Sequence, residues 1–522
     1  MKKNVLALSI ATMVGGLGFA NVASADVVRL NGNPVGVHGA HTASTATTLK
    51  VAEGGVGTAL VVPYFTTQND NMTVLHVTNT DTLRGKAVKV RFRGAANSDD
   101  ILDFQVFLSP GDVWTAAVTT GPDGVAQLTT ADNSCTIPAL TPNVAQSFIT
   151  ARLNPALTGD ALAAQTREGY IEIFNMADIP VNNAANSLYT AIKHVKGVAP
   201  CTAAVLDALE TNIYTEQGVL DAGFAAPTGS LMGDWYIMNV AQTTTFSGAA
   251  TAIQALDGNG APAASNFVYF PQNSTAALNV TNGVNTADPL FIAGKIVAAN
   301  YDLPDLSTPF VTAPTPDVFV AGALTGFGSA RAQAVELTKA LAVSSVTNQY
   351  ANDLGVSAKT DWVFSMPTRR YSVAYDYAAT GAADKRVFTK LSTDFFTAAN
   401  TAVSGNNICV NAEKQTFWDR EENTKSQGAV FSPSTVDKTQ FCGETSVLSF
   451  ADAGTSVLGA TVARQNVTGA FVNGWSTTTV ANTVANNGLP ILGASFIKLT
   501  NPSASAGTSG TYGITWPHRF TK

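Results

Sequence analysis

Two sets of charged residues lie close together between Lys86 and Asp103. Lys86, Lys89, Arg91 and Arg93 form a basic stripe; Asp99, Asp100 and Asp103, preceded by Asn97 and Ser98, form an acidic turn. Carboxylate, amide and hydroxyl oxygens grouped on one turn are the hard ligands that calcium takes, so Asp99, Asp100 and Asp103 are candidate calcium ligands. Asp257-Gly258-Asn259-Gly260, and Asp419 with Glu421, Glu422 and Asn423, offer similar oxygen sets. None has EF-hand spacing, and turn formation by itself accounts for all three. The basic stripe has two readings. The plainer is the solvated face of a sheet. The functional one is contact with something anionic, either lipopolysaccharide or acidic loops of an adjacent subunit.

Other catalytic and cofactor patterns are missing from the sequence. There is no G-x-S-x-G elbow, and none of the five histidines sits in a triad context. His76 reads as an ordinary sheet residue, and His38 and His41 as exposed arm residues. No glycine-rich turn has the spacing of a phosphate or dinucleotide loop. The acid pairs Asp99-Asp100 and Glu421-Glu422 read as solvated loop residues. The four cysteines are Cys135, Cys201, Cys409 and Cys442. An even number in an exported chain favours disulfides, and their grouping points to 135 with 201 and 409 with 442. No C-x-x-C supports zinc. No residue set nominates an enzyme or a resident cofactor, calcium apart.

The elements that position these residues are strands. From Ala87 to Arg93, Val88, Val90 and Phe92 point one way and Lys89, Arg91 and Arg93 the other, the alternation of a half-buried strand. Phe104, Val106 and Leu108 repeat it, and Ser109-Pro110-Gly111-Asp112 then turns the chain, with glycine supplying positive φ. Ala59–Phe65 and Met72–Thr78 come before, joined by Thr67–Asn71. Further strands are expected at 170–174, 235–240, 362–366, 371–377, 445–450, 494–499 and 512–516. Helical spacing marks 155–167, 203–217 and a segment from Ser329 to about Tyr350 with Ala334, Leu337, Leu341 and Val346 on one face. The strands beginning at Gly169, Gly233 and Thr360 each show a large aromatic after a polar start, which suggests neighbours in one sheet.

The chain opens with Lys2 and Lys3, an apolar run from Val5 to Ala20 and Ala23-Ser24-Ala25, the pattern of a secretory signal peptide cleaved before Asp26. Removing 25 of 522 residues leaves 497 and takes the net charge from −7 to −9 by loss of two lysines. No other apolar run has the ~20 residues of a membrane helix. Only 13% of residues are charged while 45% are hydrophobic, so the mature chain can pack a large core and present a neutral, hydroxylated surface. Overall acidity argues against nucleic acid as a partner.

The runs Ala59-Leu60-Val61-Val62-Pro63-Tyr64-Phe65, Leu75-His76-Val77-Thr78-Asn79-Thr80, Lys89 to Pro110, and Trp362 to Tyr371 (WVFSMPTRRY) resemble exported cell-surface proteins of Gram-negative, especially β-proteobacterial, species, often regarded as surface-layer (S-layer) proteins. The resemblance covers the N-terminal third well and the rest in patches, and carries no catalytic residue. It implies self-assembly into a coat outside the outer membrane. The expected fold is mainly β: an immunoglobulin-like antiparallel β-sandwich with long, partly helical insertions and a smaller C-terminal β-region. The expected divisions are a signal peptide to residue 25, an extended arm over 26–50, the sandwich over 51–400 and the C-terminal region over 401–522. The expected function is a structural, self-associating S-layer subunit. The alternatives are a porin-like outer-membrane barrel, or a secreted ligand-binding protein or enzyme with no recognisable site.

Overall fold

The computed structural model describes residues 44–181, 187–209, 221–269, 272, 303–308, 310–311, 318–320, 323–326, 329–377, 385–387, 395–427, 439–450, 455–481, 487–505 and 508–522. The signal peptide, His38 and His41 lie outside the described residues. Strands dominate what is described, in antiparallel sheets except for one parallel pair, Thr445–Ser449 with Arg464–Asn466.

Alternating apolar residues build the first sandwich. A seven-stranded sheet runs in the order Thr48–Val51, Thr251–Leu256, Ala59–Thr66, Glu168–Pro180, Arg84–Gly94, Asp100–Leu108, Cys135–Ile137. It packs on a six-stranded sheet ordered Thr244–Ala249, Leu231–Asn239, Met72–Asn79, Val113–Thr120, Ala126–Thr129, Gln146–Ser147. Val62, Leu75, Val88, Val90, Phe92, Phe104, Trp114 and Ile171 fill the space between them. The Ser109–Asp112 turn forms as expected, with Gly111 at φ +73°. Gly169 allows the closest strand contact: a Cβ there would lie 1.7 Å from the Arg93 carbonyl oxygen.

A second pair of sheets draws on the last third of the chain. One is ordered Thr424–Gln427, Lys414–Trp418, Asn473–Thr479, Ser345–Ala351, Arg519–Thr521. The other is ordered Arg464–Asn466, Thr445–Ser449, Lys359–Ser365, Ala494–Ser505, Thr508–Pro517. The Lys359–Ser365 strand shows how the two sandwiches join. Trp362 and Phe364 face the second core with Val346, Tyr350 and Phe417, while Val363 faces back into the first. Phe496 does the same, its ring 5.4 Å from Phe246 and 6.0 Å from Trp235.

Several expectations change. Ser345–Ala351 and Lys359–Ser365 pair with strands from 445 onward, so their sheets draw on residues from both sides of 400. The strands containing Tyr170, Trp235 and Trp362 lie in three different sheets, since a shared local pattern cannot say which partner a strand finds. The helix Ser329–Leu341 stops well before Tyr350; Ala334, Leu337 and Leu341 are buried as expected, but Val346 and Tyr350 belong to a strand. The β-branched run Val343, Val346, Thr347 favours the pleated conformation there. Helix forms over Gly159–Ala164, shorter than expected, and over Ala203–Leu209; residues 210–217 of the second expected helix lie outside the described residues. Residues 371–377 form no strand; a 3-10 turn covers Arg369–Tyr371. The arm ends in an edge strand, Thr48–Val51, paired with Thr251–Leu256. Among the described residues no helix is long and apolar enough to cross a membrane.

Candidate functional site: a buried ionic layer

The strand Arg84–Gly94 sits inside the seven-stranded sheet, between Glu168–Pro180 and Asp100–Leu108. Its apolar face meets the other sheet, as the alternation requires. Its charged face is not solvated. Lys86, Lys89, Arg91 and Arg93 are each at most 1% exposed, because Phe267, Val268, Tyr269, Gln272, Asp305, Arg370 and Tyr371 close over that side of the sheet. The stripe is therefore an internal feature and offers nothing to an anionic surface.

Register explains how the charges are met. Glu172 lies opposite Arg91 on one side and Asp103 on the other, while Asp178 lies opposite Lys86. Lys86 Nζ donates to Asp178 Oδ1 at 2.6 Å, Thr228 Oγ1 at 2.9 Å and Asp81 Oδ2 at 3.3 Å. Lys89 donates to Asp103 and, at 2.6 Å, to Gln272 Oε1. Arg91 Nη1 donates to Asp100 Oδ2 at 2.7 Å, with Arg152 3.6 Å from the same oxygen. Arg93 Nε donates to Glu172 Oε2 at 3.4 Å, and its Nη2 lies 4.0 Å from Asp305. The proposed calcium ligands are thus the counter-ions of the proposed anion contacts. Asp100 and Asp103 are committed to Arg91 and Lys89, and Asp99 accepts the Tyr377 hydroxyl at 2.5 Å. That pairing engages the carboxylates of Asp100 and Asp103, and among the described residues no group of three or more His, Cys, Asp or Glu is placed to hold a metal ion.

Burial sets the protonation of this layer. Desolvation raises the Asp99 carboxyl to about 7, against the Tyr377 hydrogen bond and Arg370. It raises Glu444 to about 7 as well, against Arg369 and Arg370. Lys89 is lowered to about 8 by the same cause, opposed by Asp103. Burial would raise Asp103 too, but Lys89 and Arg91 hold it well below the usual carboxylate range. The layer extends toward the second sandwich through Glu444, which accepts the Arg370 backbone N–H at 2.5 Å and lies 4.0 Å from Arg369. A second polar junction is Glu168. Its Oε1 accepts from Thr461 N at 2.7 Å, Val462 N at 3.1 Å and Gln68 Nε2 at 3.0 Å, joining the two sandwiches.

The acid–base chemistry elsewhere is turn chemistry. Asp257 Oδ1 accepts from the backbone of Asn259 and Ala261, and Asp419 Oδ1 from Glu421 and Asn423. His76 lies in its strand beside Tyr236, ring centroids 5.5 Å apart. His194 Nδ1 is 3.3 Å from both Ser109 Oγ and Asp112 Oδ2. A nucleophile relay needs hydroxyl and carboxylate on opposite ring nitrogens, so these three do not form one. The cysteines pair as expected, Cys135 with Cys201 and Cys409 with Cys442. A cleft of 320 Å³ opens beside Cys135–Cys201, lined by Asp132, Ser134, Leu140 and Leu206 among others.

Glu172, Asp178, Asp305, Glu444 and Glu168 were missed as partners. Glu172 stood in plain view within Tyr170-Ile171-Glu172-Ile173, an acid in an apolar strand, and that was the available signal. No family model, no curated protein and no solved structure matches the chain.

Proposed function

We propose that this chain is an exported structural protein that self-associates at a cell surface as a surface-layer subunit. The observation that supports this reading most is where the charge has gone. The basic stripe and its counter-ions are spent inside, holding the covering segments to the sheet, while the outer face of the Lys414–Trp418, Asn473–Thr479 and Ser345–Ala351 strands carries threonines, a serine, a glutamine and two tryptophans with a single charged residue, Lys414. A rigid body of this kind, tied by two disulfides, suits repeated weak contacts between copies that each carry a net charge of −9 once two lysines leave with the first 25 residues. The porin-like alternative needs a sheet closed on itself, whereas the sheets described here end on edge strands and pack in pairs. An exported ligand-binding protein is the second reading, favoured by the cleft beside Cys135–Cys201.

Calcium bridging through Asp99 and Asp100 has no place in this mechanism, and neither does attachment through Lys89 and Arg91. Assembly rests on surface shape and neutral contacts. Electron microscopy of the purified mature chain, with sedimentation over rising concentration, tests it. Ordered sheets or concentration-dependent oligomers are expected. A chain that stays monomeric at high concentration with native circular dichroism would overturn the reading.

A further inference from the structure

Three side chains of the ionic layer meet in a way that suits a reaction between them. Lys89 stands on the Arg84–Gly94 strand and Asp103 on the neighbouring Asp100–Leu108 strand. Gln272 arrives from the cover, 183 residues beyond Lys89 in the chain. Lys89 Nζ donates to Gln272 Oε1 at 2.6 Å, and Gln272 Nε2 donates to Asp103 Oδ1 at 2.6 Å. Lys89 donates to that same Asp103 oxygen. The contacts close a ring in which one carboxylate oxygen touches both the amine and the amide nitrogen. They also fix how the amide lies, its oxygen toward the ammonium and its nitrogen toward the carboxylate. With a C=O bond of about 1.23 Å, the Gln272 carbonyl carbon is no more than about 3.8 Å from Lys89 Nζ. That is close to the ~3–3.5 Å of a near-attack arrangement.

Burial supplies the other conditions. The side chains of Lys89 and Asp103 are 1% and 8% exposed and Gln272 is 8% exposed, so little water competes as a nucleophile. Desolvation lowers Lys89 to about 8, opposed by Asp103, which brings the uncharged amine within reach near neutral pH. An amine freed of its proton is a nucleophile, and the adjacent carboxylate is the base that frees it. Lys86, on the same strand, makes a useful contrast. It meets the carboxylates of Asp178 and Asp81 and the Thr228 hydroxyl, and an ionised carboxylate resists attack by an amine. Lys89 faces a carboxamide, which carries no charge to repel the incoming lone pair.

We propose that Lys89 and Gln272 join through an amide bond within the folded chain, with Asp103 carrying the protons. Asp103 takes a proton from the Lys89 ammonium, and the freed lone pair attacks Gln272 Cδ to give a tetrahedral carbon. Asp103 passes that proton to Nε2 and takes another from the attacking nitrogen. The Cδ–Nε2 bond then breaks, the carbonyl re-forms, and ammonia leaves with the surplus proton as ammonium. Ammonium and primary amide become secondary amide and ammonium, so nothing is oxidised or reduced and no co-reactant is needed. The site loses one positive charge. Arg91, opposite Asp103 in the register, remains to balance that carboxylate. The bond fastens the cover to an inner strand of the seven-stranded sheet and closes a loop that no disulfide closes.

The test weighs the full mature chain by mass spectrometry, after it has folded and has then been unfolded with both disulfides reduced. The parent should fall short of its sequence mass by one ammonia. Tryptic digestion should leave the bond after Lys89 uncut and yield a branched peptide joining Lys89 to Gln272. Gln272→Met keeps a side chain of similar length and leaves Lys89 paired with Asp103; it should carry its full sequence mass. Asp103→Ala, taken from the fraction with native circular dichroism, should also carry its full mass. A parent at full sequence mass overturns the proposal, and so does a deficit that persists in Gln272→Met. An Asp103→Ala chain that links as completely as the parent overturns the role given to that carboxylate.

Discussion

Lys86 offers the sharpest test of the ionic layer. Its ammonium is fully buried and donates to Asp178, Asp81 and Thr228. Lys86→Met keeps the volume of the stem and removes the charge. Breaking a buried pair on one side costs about 3–5 kcal/mol, since the remaining charge is left without its partner. Asp178 keeps other donors: Thr228 Oγ1 at 2.6 Å, Asn175 Nδ2 at 2.8 Å and the Thr228 backbone N–H at 3.2 Å. The expected loss therefore sits at the low end, about 3 kcal/mol. For a sandwich of about 200 residues that lowers the Tm by roughly 6–12 °C in calorimetry. Adding Asp178→Asn removes the orphaned charge but keeps an acceptor for Thr228, and should recover the chain to within about 1.5 kcal/mol of the parent. Lys339→Ala is the control. Lys339 also meets a carboxylate at 2.7 Å, Glu336, but the two side chains are 56% and 45% exposed. Its loss should cost less than about 1 kcal/mol. If Lys86→Met shifts the Tm no more than Lys339→Ala, or if Asp178→Asn adds to the damage, the reasoning from buried charge is refuted.

The layer also sets a pH dependence. Asp99 and Glu444 keep their protons to about 7 in the folded chain, whereas unfolded carboxyls lose them near 4, so the stability these two contribute is fully present below about pH 4 and is lost as pH rises through 7. Asp81 and Asp103 are depressed, and their contribution disappears as pH falls below about 4. Thermal melts should therefore peak near pH 5, and Asp99→Asn with Glu444→Gln should flatten the decline toward neutrality, each group carrying at most ~1.4 kcal/mol per pH unit; a melt curve that climbs from pH 5 to 7.5 in the parent would contradict this assignment. At the junction between sandwiches, Glu168→Ala strips the acceptor from Thr461 and Val462 at a cost of about 2–3 kcal/mol, and hydrogen exchange should show residues 455–466 losing protection before the two cores. Unchanged protection there would mean that Glu168 does not hold the sandwiches together.

Much of the architecture was legible in the sequence because it follows from local rules. Alternation over Ala87–Arg93 identified the strand and the face that enters the core; the Pro-Gly turn at 110–111, the two cysteine pairings and most of the other strands were readable in the same way. These depend on a residue's own conformational preferences and on neighbours one or two positions away. The fate of the polar face did not follow. Whether Lys89 and Arg91 meet water, a membrane or a carboxylate depends on what covers the sheet, and the cover comes from residues 180–280 positions further along, Gln272 and Arg370 among them. Asp99, Asp100 and Asp103 looked like a calcium site for the same reason. Oxygen ligands on a turn carry the same pattern whether they bind a cation from solvent or a lysine from the next strand. Alternation reports that a face is polar, and only tertiary packing decides whether that face is outside.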